Sequence, residues 1–166
     1  MSGADPIHDC IHRWHEHLRG RLDGGLDALL HEDCVFISPV VFTPQHGREV
    51  TKLYLSAASG TLGGVDAGPA GAGAIDGDGD GADGGKPKDG AFRYTKKILQ
   101  GHHAMLEFET TIPGDDGAPK YANGVDIITC DDDGMIVEFK VMMRPLQAIN
   151  AVHAQMRAML ERLQAG

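Results

Sequence analysis

The sequence is short of basic residues, of cysteine, of aromatics and of long apolar runs. Basic residues number 15 against 24 acidic ones, for a formal net charge of −9. That balance argues against a nucleic-acid partner, whose phosphates call for a basic face, and against an anionic membrane surface. No stretch approaches the ~20 apolar residues of a membrane span. The opening "MSGADPIHDC" lacks the apolar segment of a secretory signal. The three cysteines, Cys10, Cys34 and Cys130, are odd in number, far apart and free of any CxxC or Cys/His spacing. They read as reduced thiols, so a cytoplasmic protein is expected. No GxSxG, Walker loop, HExxH or helix-opening GxGxxG occurs. The enzyme classes those motifs announce therefore gain no support, and no cofactor is implied.

What is there fits one domain over 1–166, long enough to bury a core. Ile7, Ile11, Trp14 and Leu18 repeat at 4, 3, 4 and mark one face of a first helix. A short second helix is expected around "GGLDALLHED", with Leu26, Leu29 and Leu30 inward. "CVFIS" reads as a strand that Pro39 ends. "GREVTKLYLSAA" is a third helix with Val50, Leu53 and Tyr54 on one row. "FRYTKKIL", "HHAMLEFETTI", "KYANGVDIITC" and "MIVEFKVMM" form a four-strand meander, with "DDDG" as its last turn. Pro145 suits the first turn of a final helix. There Leu146, Ile149, His153, Met156, Leu160 and Leu163 repeat at helical spacing. Helices and an antiparallel sheet segregate along the chain, which makes the class α+β.

Residues 60–90 are different in kind. About half of the 23 glycines fall there, with six aspartates and two lysines. Such a composition cannot bury enough surface to offset its ordering entropy, so it reads as a flexible insertion. Replacing residues 63–88 with a short Gly/Ser linker is expected to change stability by less than about 1 kcal/mol, because loop length enters closure entropy only logarithmically. Denaturant titration of the two proteins checks this. Within the insertion, "DGDGDGADGGKP" puts Asp76, Asp78 and Asp80 at positions 1, 3 and 5 of a calcium loop, and Gly81 at position 6. Position 12 is Pro87 instead of a bidentate Glu, and position 8 is Asp83 instead of an apolar anchor. The stretch reads as a solvated acidic linker. His8 and His12 lie one turn apart on the polar side of the first helix, with Glu16 continuing the row. They read as an exposed face, because a metal site needs converging ligands with outer-shell support. No metal site is expected.

One residue resists a structural explanation. Asp126 interrupts the apolar run Val125, Ile127, Ile128, and its same-face neighbours are Gly124, Ile128 and Cys130. An ionised carboxylate on such a face costs several kcal/mol or holds its proton well above the usual range.

The Trp-bearing first helix, "LDALLHEDCVFISPVVFTPQHGREVTKLYL", the meander and "GVDIITCDDDGMIVEFKVM" together resemble the SnoaL-like branch of the NTF2-like superfamily, related to ketosteroid isomerases. The resemblance covers the chain except 60–90. It implies a cone, a curved antiparallel sheet wrapped around the N-terminal helices over an apolar pocket, with an extra C-terminal helix. Asp126 then projects into the pocket, where the family places a protonated aspartate. Trp14 stands where ketosteroid isomerases carry an oxyanion-donor tyrosine. Ser38, before Pro39, stands at the general-base aspartate, and Tyr54 at a pocket aromatic on the third helix. Serine lacks the basicity to take a carbon-bound proton, and an indole N–H lacks a phenol's acidity.

Three readings stay open at this point. The chain binds a small apolar, polycyclic or terpenoid-like molecule against Trp14, Phe36, Tyr54, Ile128, Val141 and Met143, with Asp126 on its carbonyl or hydroxyl. Alternatively it is an isomerase, cyclase or hydrolase with Asp126 as acid or base, aided by Tyr54 and Ser38. Glu107 supplies a second carboxylate if its strand turns that side inward, although Leu106 and Phe108 argue for the other side. The third reading is a non-catalytic interaction module. A second titratable group within reach of Asp126 favours chemistry, and a lone acid favours binding. The family also implies a homodimer through the outer sheet face, here Glu138, Lys140 and Met142.

Overall fold

Local chemistry sets where the first helix starts. Pro6 opens α1 (Pro6–Leu18), and Ile7, Cys10, Ile11 and Trp14 are its buried face, as the spacing predicts. The computed structural model describes residues 5–61 and 92–165, so the 60–90 insertion and its acidic motif lie almost wholly outside the described residues. A 3-10 turn, Gly25–Ala28, leads to β1 (Leu30–Ile37), β2 (Gln45–His46) and α2 (Arg48–Thr61). The meander is β3 (Arg93–Gln100), β4 (His103–Pro113), β5 (Pro119–Cys130) and β6 (Ile136–Arg144), and α3 (Leu146–Gln164) follows.

The six strands form one curved, open sheet in the order β2-β1-β6-β5-β4-β3. It is mixed rather than purely antiparallel, because β1 runs parallel to β6. That pairing puts the first strand beside the last, next to the strand that carries Asp126.

Two polar fixtures lay α1 across the concave face. At its start, Asp5 Oδ2 accepts the Gly101 N–H at 2.7 Å, and the Ile7 N–H donates to Gly101 O at 3.2 Å. At its middle, the Arg13 guanidinium donates to Gly134 O at 2.6 Å and Ala28 O at 3.1 Å. Gly134, in the β5–β6 turn, has φ +74°, and a Cβ there would sit 2.9 Å from Arg13 Nη2. The turn therefore takes glycine both for its backbone and for the arginine. With both fixtures in place, Trp14 has one position over the sheet.

The structure departs from the sequence expectations in three helices. The expected second helix shrinks to the 3-10 turn, because Gly24 and Gly25 hold φ of +78° and +56° and Leu30 already pairs with Ile136. In α2, Leu53 is 37% exposed and Thr51 is buried instead. Thr51 can be buried because its hydroxyl donates to Gly47 O at 2.9 Å. In α3 the buried face is Ala148, Ala151, Val152 and Met156, whereas Leu146 is 70% exposed and His153 is also exposed. Small side chains let α3 approach Ile112 and Ala122 closely, and that contact outweighs the leucine row.

Candidate functional site

β5 points Gly124, Asp126, Ile128 and Cys130 toward the concave side. Across the ladder Asp126 pairs with Val141 on β6 and Leu106 on β4, and Ile128 pairs with Phe139. These neighbours are apolar, and Asp126 is only 5% exposed. Trp14 packs on Phe139 with ring centroids 5.1 Å apart. Phe36 stacks on Tyr54 at 5.1 Å. Gly124 is required on its strand, because a Cβ would collide with the Phe108 ring and lie 2.6 Å from the Met142 carbonyl oxygen. The Phe108 ring occupies that space and stacks on Phe92, which meets Tyr94 edge-on.

The sequence reading missed Tyr94. Its hydroxyl donates to Asp126 Oδ2 at 2.6 Å, and its oxygen accepts the Trp14 indole N–H at 3.0 Å. Alternation along β3 would put Tyr94 on the same side as Lys96 and Ile98. The register shifts between Tyr94 and Lys96, so Tyr94 lies opposite Phe108 while Lys96 lies opposite Glu107. This bulge reverses the facing of the residues before it and turns the phenol inward. The signal in the sequence was the one aromatic within β3.

Burial pushes the Asp126 carboxyl up to about 7, and the Tyr94 hydrogen bond opposes that rise. Burial also holds the Tyr94 phenol well above its ordinary value, and the adjacent Asp126 raises it further. The two oxygens thus lie 2.6 Å apart, and the phenol holds its proton more tightly than the carboxyl. Tyr94 remains a phenol at all ordinary pH, and Asp126 changes state near neutrality.

The other predicted residues divide. Trp14, Phe36 and Ile128 are buried in the cluster around Asp126, with Val141 and Tyr54 half-buried against it. Tyr54 also touches the second cluster, under α3, which Met143 joins. Ser38 is buried, but its oxygen accepts the backbone N–H groups of Val40 at 3.1 Å and Val41 at 3.4 Å. It caps a turn and is not hydrogen-bonded to Asp126. Glu107 is a correction. It faces the outer side, where it accepts from Asn123 Nδ2 at 3.1 Å and pairs with Lys96 at 3.3 Å. The Asn123 hydrogen bond, then Lys96, holds its carboxyl below the usual range. Leu106 and Phe108 own the concave side of β4.

The three cysteines are free and buried, and burial pushes Cys10 up to about 12. Among the described residues no group of three or more His, Cys, Asp and Glu side chains is placed to hold a metal ion. Among them, too, no helix is long and apolar enough to cross a membrane.

No protein-family model and no curated protein matches the sequence. Solved structures do match. A steroid delta-isomerase from Pseudomonas aeruginosa superposes with TM-score 0.73 over 97% of this chain and 96% of its own, at 25% identity. The chain has the NTF2-like cone fold. A putative SnoaL-like polyketide cyclase from Jannaschia sp. CCS1 shares this cone, with TM-score 0.58 at 14% identity over 93% of this chain and 99% of its own. TerC co-crystallized with polyporic acid does so with TM-score 0.56 at 15% identity, over 90% of this chain and 99% of its own. In the present NTF2-like cone a phenol from β3, Tyr94, lies beside Asp126.

Proposed function

We propose that the concave face holds a small apolar, polycyclic or terpenoid-like molecule whose carbonyl or hydroxyl oxygen hydrogen-bonds to Asp126. One observation carries this reading. A carboxyl group is buried among Ile128, Val141, Leu106 and Trp14, with a phenol as its hydrogen-bond partner and no cation contributing to its state. A fold gains nothing from such a group, because burial without a cation costs free energy. Recognition of a polar atom on an otherwise oily ligand does gain from it.

The expected result is selective loss. Asp126→Leu folds, because the site is apolar, and weakens binding of a polycyclic ketone by about 1–3 kcal/mol, the size of a lost hydrogen bond in a dry site. Binding of the matching hydrocarbon is unchanged. Quenching of Trp14, the one tryptophan in the chain, reports both titrations. Equal loss for ketone and hydrocarbon would sink the reading.

A second reading, proton-transfer chemistry, is favoured by Tyr94. A titratable partner at 2.6 Å with a well-separated proton affinity is the arrangement that suits an acid–base site. The steroid delta-isomerase and the SnoaL-like polyketide cyclase among the neighbours fit this reading. With Ser38 at the base position and its oxygen engaged by the backbone, Asp126 is the group left to take and return a proton. Isomerisation or cyclisation that needs one such group fits this site better than one that needs two.

The outer sheet face suits a second copy of the chain. Ile98, Met105 and Met142 are 66%, 44% and 53% exposed there, around a groove of about 430 Å³. The pairs Lys96–Glu107 and Lys140–Glu138 give the same face both signs of charge, as an isologous contact requires. Light scattering at micromolar concentration is expected to give twice the chain mass, and Met142→Glu to halve it. A monomeric wild-type protein would remove this proposal. Three buried free thiols suit a reducing compartment, the cytoplasm, and the acidic surface suits neither nucleic acid nor membrane as partner.

A further inference from the structure

We propose that Trp14 is a positioning residue, one that sets the direction of the chain Trp14–Tyr94–Asp126 so that Asp126 always presents Oδ1 to the bound molecule. The inference rests on the proposed pocket and adds the atom that reads the ligand. An indole N–H can only donate. At 3.0 Å from the Tyr94 oxygen it takes the acceptor side of that oxygen, and two donors cannot face one another. The Tyr94 proton is therefore directed at its other neighbour, Asp126 Oδ2, at 2.6 Å. Oδ2 is then an occupied acceptor whether or not Asp126 is ionised. Any proton the carboxyl holds is on Oδ1.

The consequence is a defined polarity toward the ligand. With its proton, Oδ1 donates and selects an acceptor such as a ketone or enolate oxygen. Without it, Oδ1 accepts or takes a proton. A phenol in place of Trp14 could both donate and accept, so the chain could reverse and leave the Asp126 proton on Oδ2, turned away from the ligand. An indole forbids that reversal. Two elements bring titratable groups to Asp126 and its hydrogen-bonded partners. Tyr94 comes from β3, His15 from α1 with its ring 5.9 Å from the Tyr94 ring, and His17 from α1 with its ring 5.6 Å from the Trp14 ring. Burial lowers the pKa of His17.

The test uses the ligand-free protein, so it is independent of whether the proposed ligand class is right. The chain has a single tryptophan, and its indole N–H gives one NMR signal. In the wild type that signal is expected to move with pH at the same midpoint as the Asp126 carboxyl carbon. In Tyr94→Phe the indole signal should stop following Asp126, while the Asp126 midpoint rises by about one pH unit through loss of a hydrogen bond to the ionised form. Trp14→Phe should raise the Asp126 midpoint in the wild-type background and leave it unmoved in the Tyr94→Phe background. An indole signal that is flat through the Asp126 midpoint would overturn the proposal, as would one that still follows it in Tyr94→Phe. Both readouts stand without the Trp14→Phe variant should that protein fail to fold.

Discussion

Asp126→Asn is expected to raise stability at pH 8 by on the order of 4 kcal/mol and to leave it nearly unchanged at pH 4. The carboxyl moves from its ordinary value of 3.8 to about 7 on folding, chiefly by burial. Below 3.8 both states hold the proton, and the group's contribution is fully present. Between 3.8 and about 7 the unfolded chain ionises while the folded one resists, so stability falls as pH rises. Above the folded midpoint the loss is complete. Each pH unit in that window costs about 1.36 kcal/mol. Asparagine matches the protonated acid in shape, keeps an acceptor for the Tyr94 hydroxyl and cannot ionise. The measurement is urea unfolding of both proteins at pH 4, 6 and 8. Curves that stay parallel across that range would mean Asp126 is ionised and compensated in the fold, and the buried-acid reading would be wrong.

Phe139→Ala is expected to cost about 3–5 kcal/mol, the range for emptying a buried aromatic site. Phe139 is 2% exposed and stands between Trp14 at 5.1 Å and Phe36 at 6.2 Å, opposite Ile128. Both rings lose a wall, and β-sheet backbone on either side cannot collapse to fill the gap. Against a total stability of about 5–15 kcal/mol, that loss is a large share. Leu146→Ala is the contrasting variant. Leu146 heads the apolar row of the last helix in the sequence but is 70% exposed, so its truncation should stay within about 0.5 kcal/mol in a monomer. Denaturation midpoints rank the two. A Leu146 effect above that of Phe139 would place the helix row in the core after all.

Much of the fold is legible because its signals are local. The spacing of Ile7, Ile11 and Trp14 needs only one turn of helix to be read. The strands of the meander begin and end within a residue or two of the runs of apolar alternation. Asp126 stands out because its strand neighbours are apolar whatever the strand pairs with. The helices with competing faces were less legible. In α2 a buried threonine replaces Leu53, and in α3 Ala148 and Ala151 are buried while Leu146 is exposed. A row of large apolar side chains predicts burial only when the opposing surface has room for them. Ala122 and Ile112 offer α3 a flat floor suited to small residues.

The sequence by itself determined the α+β class, the meander, Trp14 on the inward face of the first helix and a carboxyl on the inward face of β5. Periodicity and composition are properties of neighbouring residues, so no partner had to be known. Tertiary structure decided the rest: the parallel β1–β6 pairing, the outward facing of Glu107 and the turn-capping role of Ser38. Above all it decided that Tyr94 meets Asp126. Those residues are 32 apart in sequence and are joined by a single register shift in β3. A bulge changes which face a side chain occupies without changing the identity of any residue. Alternation therefore sends Tyr94 outward, and only the pairing with β4 turns it toward the carboxyl.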